Sequence, residues 1–172
     1  VAMSLRLTYT ARSDVGLVRE DNEDSGYASP HLLAVADGMG GAAAGEVASS
    51  VVVAAYARLD DEEPSGDLLA ALADTMTYAE AQLSALVETE PGLAGMGTTL
   101  TAMIRSGTRL GLVHIGDSRA YLLRAGKLER LTRDHTLVQS LIDAGRLSEA
   151  DARTHPQRGV ITRVLDGAHP PH

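Results

Sequence analysis

A chain of 172 residues is one domain of ordinary size, and 44% apolar residues suffice to bury a core. A net charge of −8 and the absence of Phe and Trp argue against a nucleic-acid partner, which recruits basic surfaces and aromatic stacking platforms. The lack of cysteine excludes disulfides, thiolate zinc sites and cysteine-nucleophile chemistry, and no apolar stretch approaches the ~20 residues of a membrane span, so a cytoplasmic domain with no membrane segment is expected.

Leu5 to Ser13 alternates as a strand does, with Leu5, Leu7 and Tyr9 on one side. Asp14 to Asp24 is polar and reads as a loop. Residues 32–36 form a short continuous apolar run, the mark of a buried strand, and the run stops at Asp37 before Gly38-Met39-Gly40-Gly41. Helical spacing through Ala44, Val47, Val51, Ala54 and Arg58 predicts a helix over about 42–59. The acidic stretch Asp60 to Asp67 reads as a solvated connection. Leu68, Leu72, Met76, Ala79, Leu83 and Leu86 predict a second helix, ended by Pro91-Gly92.

Short strands follow at Thr98–Arg105, Arg109–Ile115, Arg119–Leu123 and Lys127–Leu131. Ser106-Gly107 and Ala125-Gly126 between them suggest antiparallel hairpins. Asp134 to Ala144 returns to helical spacing, and Ser148 with Asp151 marks the N-cap of a short helix. The Pro-rich end, 166–172, is expected to fray, its two histidines included. Strand, two helices, then hairpins is an α+β pattern of antiparallel sheets covered by helices.

Four places carry candidate chemistry. Asp37 ends a buried strand and is followed by three glycines in four residues, so a rigid carboxylate sits beside open backbone, and Gly38 can offer its carbonyl. A tight turn with Asp37 capping the helix explains the same residues. So does a dinucleotide-binding turn, Gly38-Met39-Gly40-Gly41-Ala42-Ala43 with Asp60 about 20 residues on. Against that reading, Asp37 would lie beside the pyrophosphate and the later chain gives hairpins instead of parallel units. Arg19-Glu20-Asp21-Asn22-Glu23-Asp24 brings an arginine able to grip a phosphoryl group, with Glu23 and Asp24 able to reach metal-bound water. Gly116-Asp117-Ser118-Arg119 delivers another acid after an apolar strand, as a hairpin turn also would. Gly97-Thr98-Thr99 reads as close packing against the site. His114, inside a strand, reads as structural.

In this order, these pieces resemble the metal-dependent protein phosphatases of type 2C (PPM type), bacterial branch. They are Arg19 with Asn22-Glu23-Asp24, Asp37-Gly38-Met39-Gly40-Gly41, Gly97-Thr98-Thr99 and Gly116-Asp117-Ser118-Arg119-Ala120-Tyr121, then Leu131 to Thr136 and His155-Pro156 through Arg163. The resemblance implies an α-β-β-α four-layer sandwich over residues 1–165 and a two-metal Mn2+ or Mg2+ centre. It implies that Asp37 bridges both ions, Gly38 contributes its carbonyl through water, Glu23 holds metal-bound water, and Asp117 helps hold a third, weaker ion. Arg19 would bind the substrate phosphate, and Leu141 to Arg158 would form a mobile flap. Met39 stands where eukaryotic relatives carry a proton-donating histidine. The implied substrates are phosphorylated proteins, among them serine/threonine kinases and their targets.

The family pattern continues with two further metal aspartates that do not occur before His172. A fragment or a short form of a longer parent is therefore expected, and a phosphoprotein-binding module that does not assemble two metals is the alternative to an enzyme.

Overall fold

The computed structural model describes residues 6–61 and 64–168. Strand β1 (Asp24–Ala28) turns back into β2 (Leu32–Met39), and helix α1 (Ala42–Ala57) follows, closed by a 3-10 turn at Arg58–Asp60. Helix α2 (Leu68–Thr89) leads to β3 (Gly97–Thr98), β4 (Leu100–Ser106) and β5 (Arg109–Ile115). The hairpin β6 (Tyr121–Arg124) and β7 (Lys127–Arg130) precedes short helices α3 (Leu137–Asp143) and α4 (Glu149–Ala152).

The main sheet has the order β1-β2-β4-β5, with β3 paired to the far end of β2, and every pairing is antiparallel. Antiparallel neighbours on both sides of β2 remove the dinucleotide-binding reading, which needs parallel βαβ units. Asp60 is also engaged elsewhere: it accepts a 2.8 Å hydrogen bond from the Tyr27 hydroxyl, which raises the phenol's pKa, so the acidic connection is not wholly solvated.

Alternation along β2 divides the sheet into two faces. Leu32, Ala34 and Ala36, with Leu100, Ala102, Ile104 and Ile115 from the neighbouring strands, are buried beneath α1 and α2. On α2 the buried positions Leu68, Leu72, Met76, Ala79 and Leu83 recur every three or four residues, as the sequence predicts. Asp67 caps this helix by accepting from the Leu69 and Ala70 amides. Tyr56 is fully enclosed between the helices and donates to the Leu72 carbonyl at 2.8 Å, which satisfies the one polar atom it buries. Gly38 lets α1 approach: a Cβ there would fall 2.1 Å from the Gly45 carbonyl oxygen.

The antiparallel α+β architecture expected from sequence is the one found. Among the described residues it amounts to one helix layer on one five-stranded sheet, with β6–β7 as a separate two-stranded sheet. The expected strand over Leu5–Ser13 is not formed at its described residues: 6–15 pair with no strand, and a strand without a neighbour gains no ladder hydrogen bonds. This segment runs along the uncovered face of the sheet, and a cavity of about 660 Å³ lies between Thr10–Asp14, Tyr27, Leu33, Val35 and Asp37. At the other end the described residues reach 168, and residues up to Gly167 are tied to the body of the domain. Leu165 is buried and exchanges two backbone hydrogen bonds with Thr98, and the Gly167 amide donates to Glu80 at 2.6 Å. The terminal histidines lie outside the described residues.

Candidate metal centre

The register of β1 and β2 sets Asp24 directly opposite Asp37, on the face away from the helices. Such a pair brings its Cβ atoms to within ~5.5 Å, and like charges there repel. The Asp37 carboxyl is accordingly pushed up: partial burial is the main cause, the charges of Asp24 and Asp117 add to it, and Arg19 opposes it. A hydrogen bond to Asp24 acts in the same upward direction. Asp37 therefore senses three of the other residues read from the sequence as charged site candidates: Asp24 on the neighbouring strand, Asp117 and Arg19.

Two threonines tie these segments together. Thr99 sits between β3 and β4; its hydroxyl accepts from the Asp37 amide at 3.0 Å, its own amide donates to the Asp37 carbonyl at 2.9 Å, and its hydroxyl meets Ser118 at 2.8 Å. Thr98 donates a further bond to the Asp37 carbonyl. Gly97-Thr98-Thr99 thus does more than pack. It fixes the Asp37 backbone and links it to the loop that carries Asp117. Gly116 has φ 100°, and a Cβ at that position would fall 2.5 Å from the Thr99 side chain, so the loop reaches the site only with glycine there.

Behind Asp117, Arg119 grips the buried carboxylate of Asp134 through both Nε and Nη2, and Arg130 adds an ion pair at 3.7 Å. The partnership holds Arg119 more firmly protonated than usual. His114 is satisfied at both nitrogens, by Thr101 at 2.9 Å and by the Arg133 carbonyl at 3.1 Å, and its ring stacks on His135. Burial is the main reason that both imidazoles are harder to protonate. The structural reading of His114 agrees with this environment.

Glu23 is placed differently from the two facing aspartates. Its carbonyl accepts from the Gly38 amide at 3.2 Å and from the Ser49 hydroxyl at 2.6 Å, so it stands on the helix side of the sheet. Its carboxylate lies against the first turns of α1, where a Cβ on Gly45 would come 2.5 Å from Oε2. Arg19 lies in the loop behind Leu17 and Val18, both fully exposed. What sequence reasoning missed is the rank of Asp24, given there only a reach to metal-bound water. The signal was its position at the start of a strand, and that strand is short, contains Gly26, and shows no clear alternation.

An all-oxygen donor set with repelling carboxylates suits a hard divalent cation, whose charge would relieve the repulsion. Among the described residues no three acid, histidine or cysteine side chains converge as a closed cage. The fit is therefore to an ion held along one carboxylate edge, with backbone oxygen and water completing its sphere.

A family model described as Protein phosphatase 2C matches residues 4–166. The chain is 59% identical over 165 residues to the serine/threonine protein phosphatase PstP of Mycobacterium tuberculosis, covering 96% of this chain and 32% of PstP. It is 37% identical over 165 residues to the serine/threonine phosphatase stp of Listeria monocytogenes, covering 90% of this chain and 65% of that protein. The crystal structure of M. tuberculosis PstP/Ppp superposes with a TM-score of 0.93 at 59% identity, over 96% of this chain and 71% of that one. The PstP catalytic domain in complex with two manganese ions gives 0.89 at 56% identity, over 96% and 70%. The chain thus spans about a third of the length of PstP and about two-thirds of the solved structures. It belongs to the protein phosphatase 2C family.

Proposed function

We propose that this chain is the larger part of a catalytic domain that hydrolyses phosphoserine and phosphothreonine in proteins at a Mn2+ or Mg2+ centre, in the cytoplasm, opposing bacterial serine/threonine kinases. The observation that carries the reading is Asp24 and Asp37 facing each other across β1–β2, with Asp117 and Arg19 in electrostatic reach. The related PstP catalytic domain with two manganese ions supports the choice of metal. Among the described residues no helix is long and apolar enough to cross a membrane.

A divalent metal supplies Lewis-acid activation of water, lowering its pKa toward neutrality. The protein's part is to position and neutralise. Asp37 and Asp24 would hold the cation along their shared edge, with the Gly38 carbonyl and Glu23 as further oxygen donors toward its water. Asp117 steadies a further, weaker ion. The Arg19 guanidinium takes two phosphoryl oxygens in parallel hydrogen bonds and keeps the phosphorus in line with the attacking water. Met39 has no proton to give a departing serine or threonine alkoxide, so that proton must come from water. The segment from Leu141 to Arg158, with α4 inside it, borders Asp117 and acts as a flap.

Phosphate release from a phosphothreonine peptide tests the proposal. Release that requires manganese, stops in EDTA and is lost in Asp37→Asn supports it. Absence of release from the wild-type chain with manganese would show that its residues do not suffice as a catalyst and would favour a phosphoprotein-binding role.

A further inference from the structure

A second cavity, of about 560 Å³, opens beside Asp117 between the hairpin and helices α3 and α4. Its charged lining is unlike the rest of a protein that carries −8 overall. Arg119, Arg130, Arg153 and Arg158 face Asp117, Asp134 and Glu149 around it. Asp134 already receives two of the guanidiniums, Arg119 and Arg130, so that trio keeps one positive charge. Arg153 and Arg158 have no carboxylate partner within ion-pair distance among the described residues. Glu149 stands one helical turn before Arg153 and forms no ion pair with it.

Four guanidiniums against three carboxylates leave the lining net positive, the two unpaired arginines stand away from Asp117, and the cavity is polar and roomy, so an anion is the natural occupant of its arginine side. Asp117 on its rim places that anion next to the metal centre, within the span of one bound peptide. From this we infer that the cavity is an anion subsite for a second phosphate on the same protein substrate, with Arg153 and Arg158 as its binding residues. The inference rests on the phosphatase reading for the identity of the substrate. A carboxylate side chain shares the chemistry, but a phosphate offers more acceptor oxygens and more charge to the paired guanidiniums. The subsite would make the enzyme prefer multiply phosphorylated segments over isolated phosphothreonines.

The test is equilibrium binding of peptides whose phosphates are replaced by non-hydrolysable phosphonates, so that turnover cannot intervene. One peptide carries a single phosphonate threonine; others add a phosphonate serine, a glutamate or a serine at a series of spacings. The second phosphonate is expected to tighten binding by ~10-fold at low salt and less at high salt, with glutamate giving a smaller gain and serine none. Arg153→Ala with Arg158→Ala should bring the ratio of double to single phosphonate affinity close to one. Glu149→Gln should raise it, because a like charge is removed. Arg124→Ala, an exposed arginine outside both the cavity and the flap, should leave it unchanged. A ratio of one in the wild type, or a ratio that the paired arginine change leaves intact, overturns the subsite, and so does failure to bind either peptide. The phosphatase reading fails separately, if single-phosphonate binding gains nothing from manganese or is indifferent to Asp37→Asn.

Discussion

The two faces of β2 are built by different means. Leu32, Ala34 and Ala36 point beneath α1 and are nearly or wholly buried, whereas Val35, between them in sequence, is 50% exposed on the other face. The helix side is closed by apolar packing. The opposite side is held by hydrogen bonds: Thr99 to Asp37 and Ser118, Thr101 to His114 and His114 to the Arg133 carbonyl at the Asp37 end, and Arg105 to the Pro30 carbonyl and His31 at the other. One strand therefore supplies stability with its even positions and chemistry with its odd ones, since Asp37 continues the row of Leu33 and Val35. The difference teaches where a substitution will be felt as folding and where as function.

The largest effect should come from the packed side. Leu100→Ala, at a fully buried position, should cost about 3 kcal/mol, while Val35→Ala should cost under about 0.5 kcal/mol. Urea denaturation compares the two directly, and equal losses would break the distinction between faces. On the hydrogen-bonded side, Asp134→Ala leaves Arg119 and Arg130 without their shared carboxylate and should cost about 3 kcal/mol. Asp134→Asn, which retains the acceptor oxygen, should cost less in the same assay.

Gly38→Ala acts across the strand. Its methyl would meet the Gly45 and Glu23 carbonyl oxygens, so α1 must shift, and a loss of about 2 kcal/mol in urea is expected together with weaker manganese binding. The smallest effect has the opposite sign. Asp37 has a raised pKa, so the folded state binds its proton more tightly than the unfolded chain does. Stability of the metal-free protein must then fall as pH climbs from the usual carboxylate value of 3.8 through the raised one. Asp37→Asn removes that penalty and should slightly stabilise the EDTA-treated protein at neutral pH, the gain being reduced by solvent screening. Thermal melts at two pH values read the effect; destabilisation by the asparagine would mean that Asp24 and Asp37 do not repel.

Much of this was legible in the sequence because the signals were periodic or steric. The stripe on α2, the Ser148 cap and the Ala125-Gly126 turn each depend on local geometry, and each stands where expected, whereas the Asp67 and Thr136 caps went unread. Strand β5 matches residue for residue. Non-local pairing was less readable. The alternating 5–13 segment looks like a strand but has no partner among its described residues, while Asp24–Ala28, where sequence reading ended a loop at Asp24 and marked no strand, becomes one because β2 offers it a full ladder. The same gap hid the site's main juxtaposition. Asp24 and Asp37 are opposite only through register, and the role of Thr99 between Asp37 and Ser118 depends on a break between β3 and β4 that no local pattern announces.

That juxtaposition is best tested by titrating manganese into the metal-free chain by calorimetry, alongside Asp24→Asn, Asp37→Asn and Asp14→Asn. Binding that is weakened at least ~10-fold by either of the first two changes and untouched by the third is the expected result, since removing one carboxylate from a hard-cation site forfeits a main ligand. Manganese affinity indifferent to both Asp24 and Asp37 would contradict the assignment of the centre to the open end of β2.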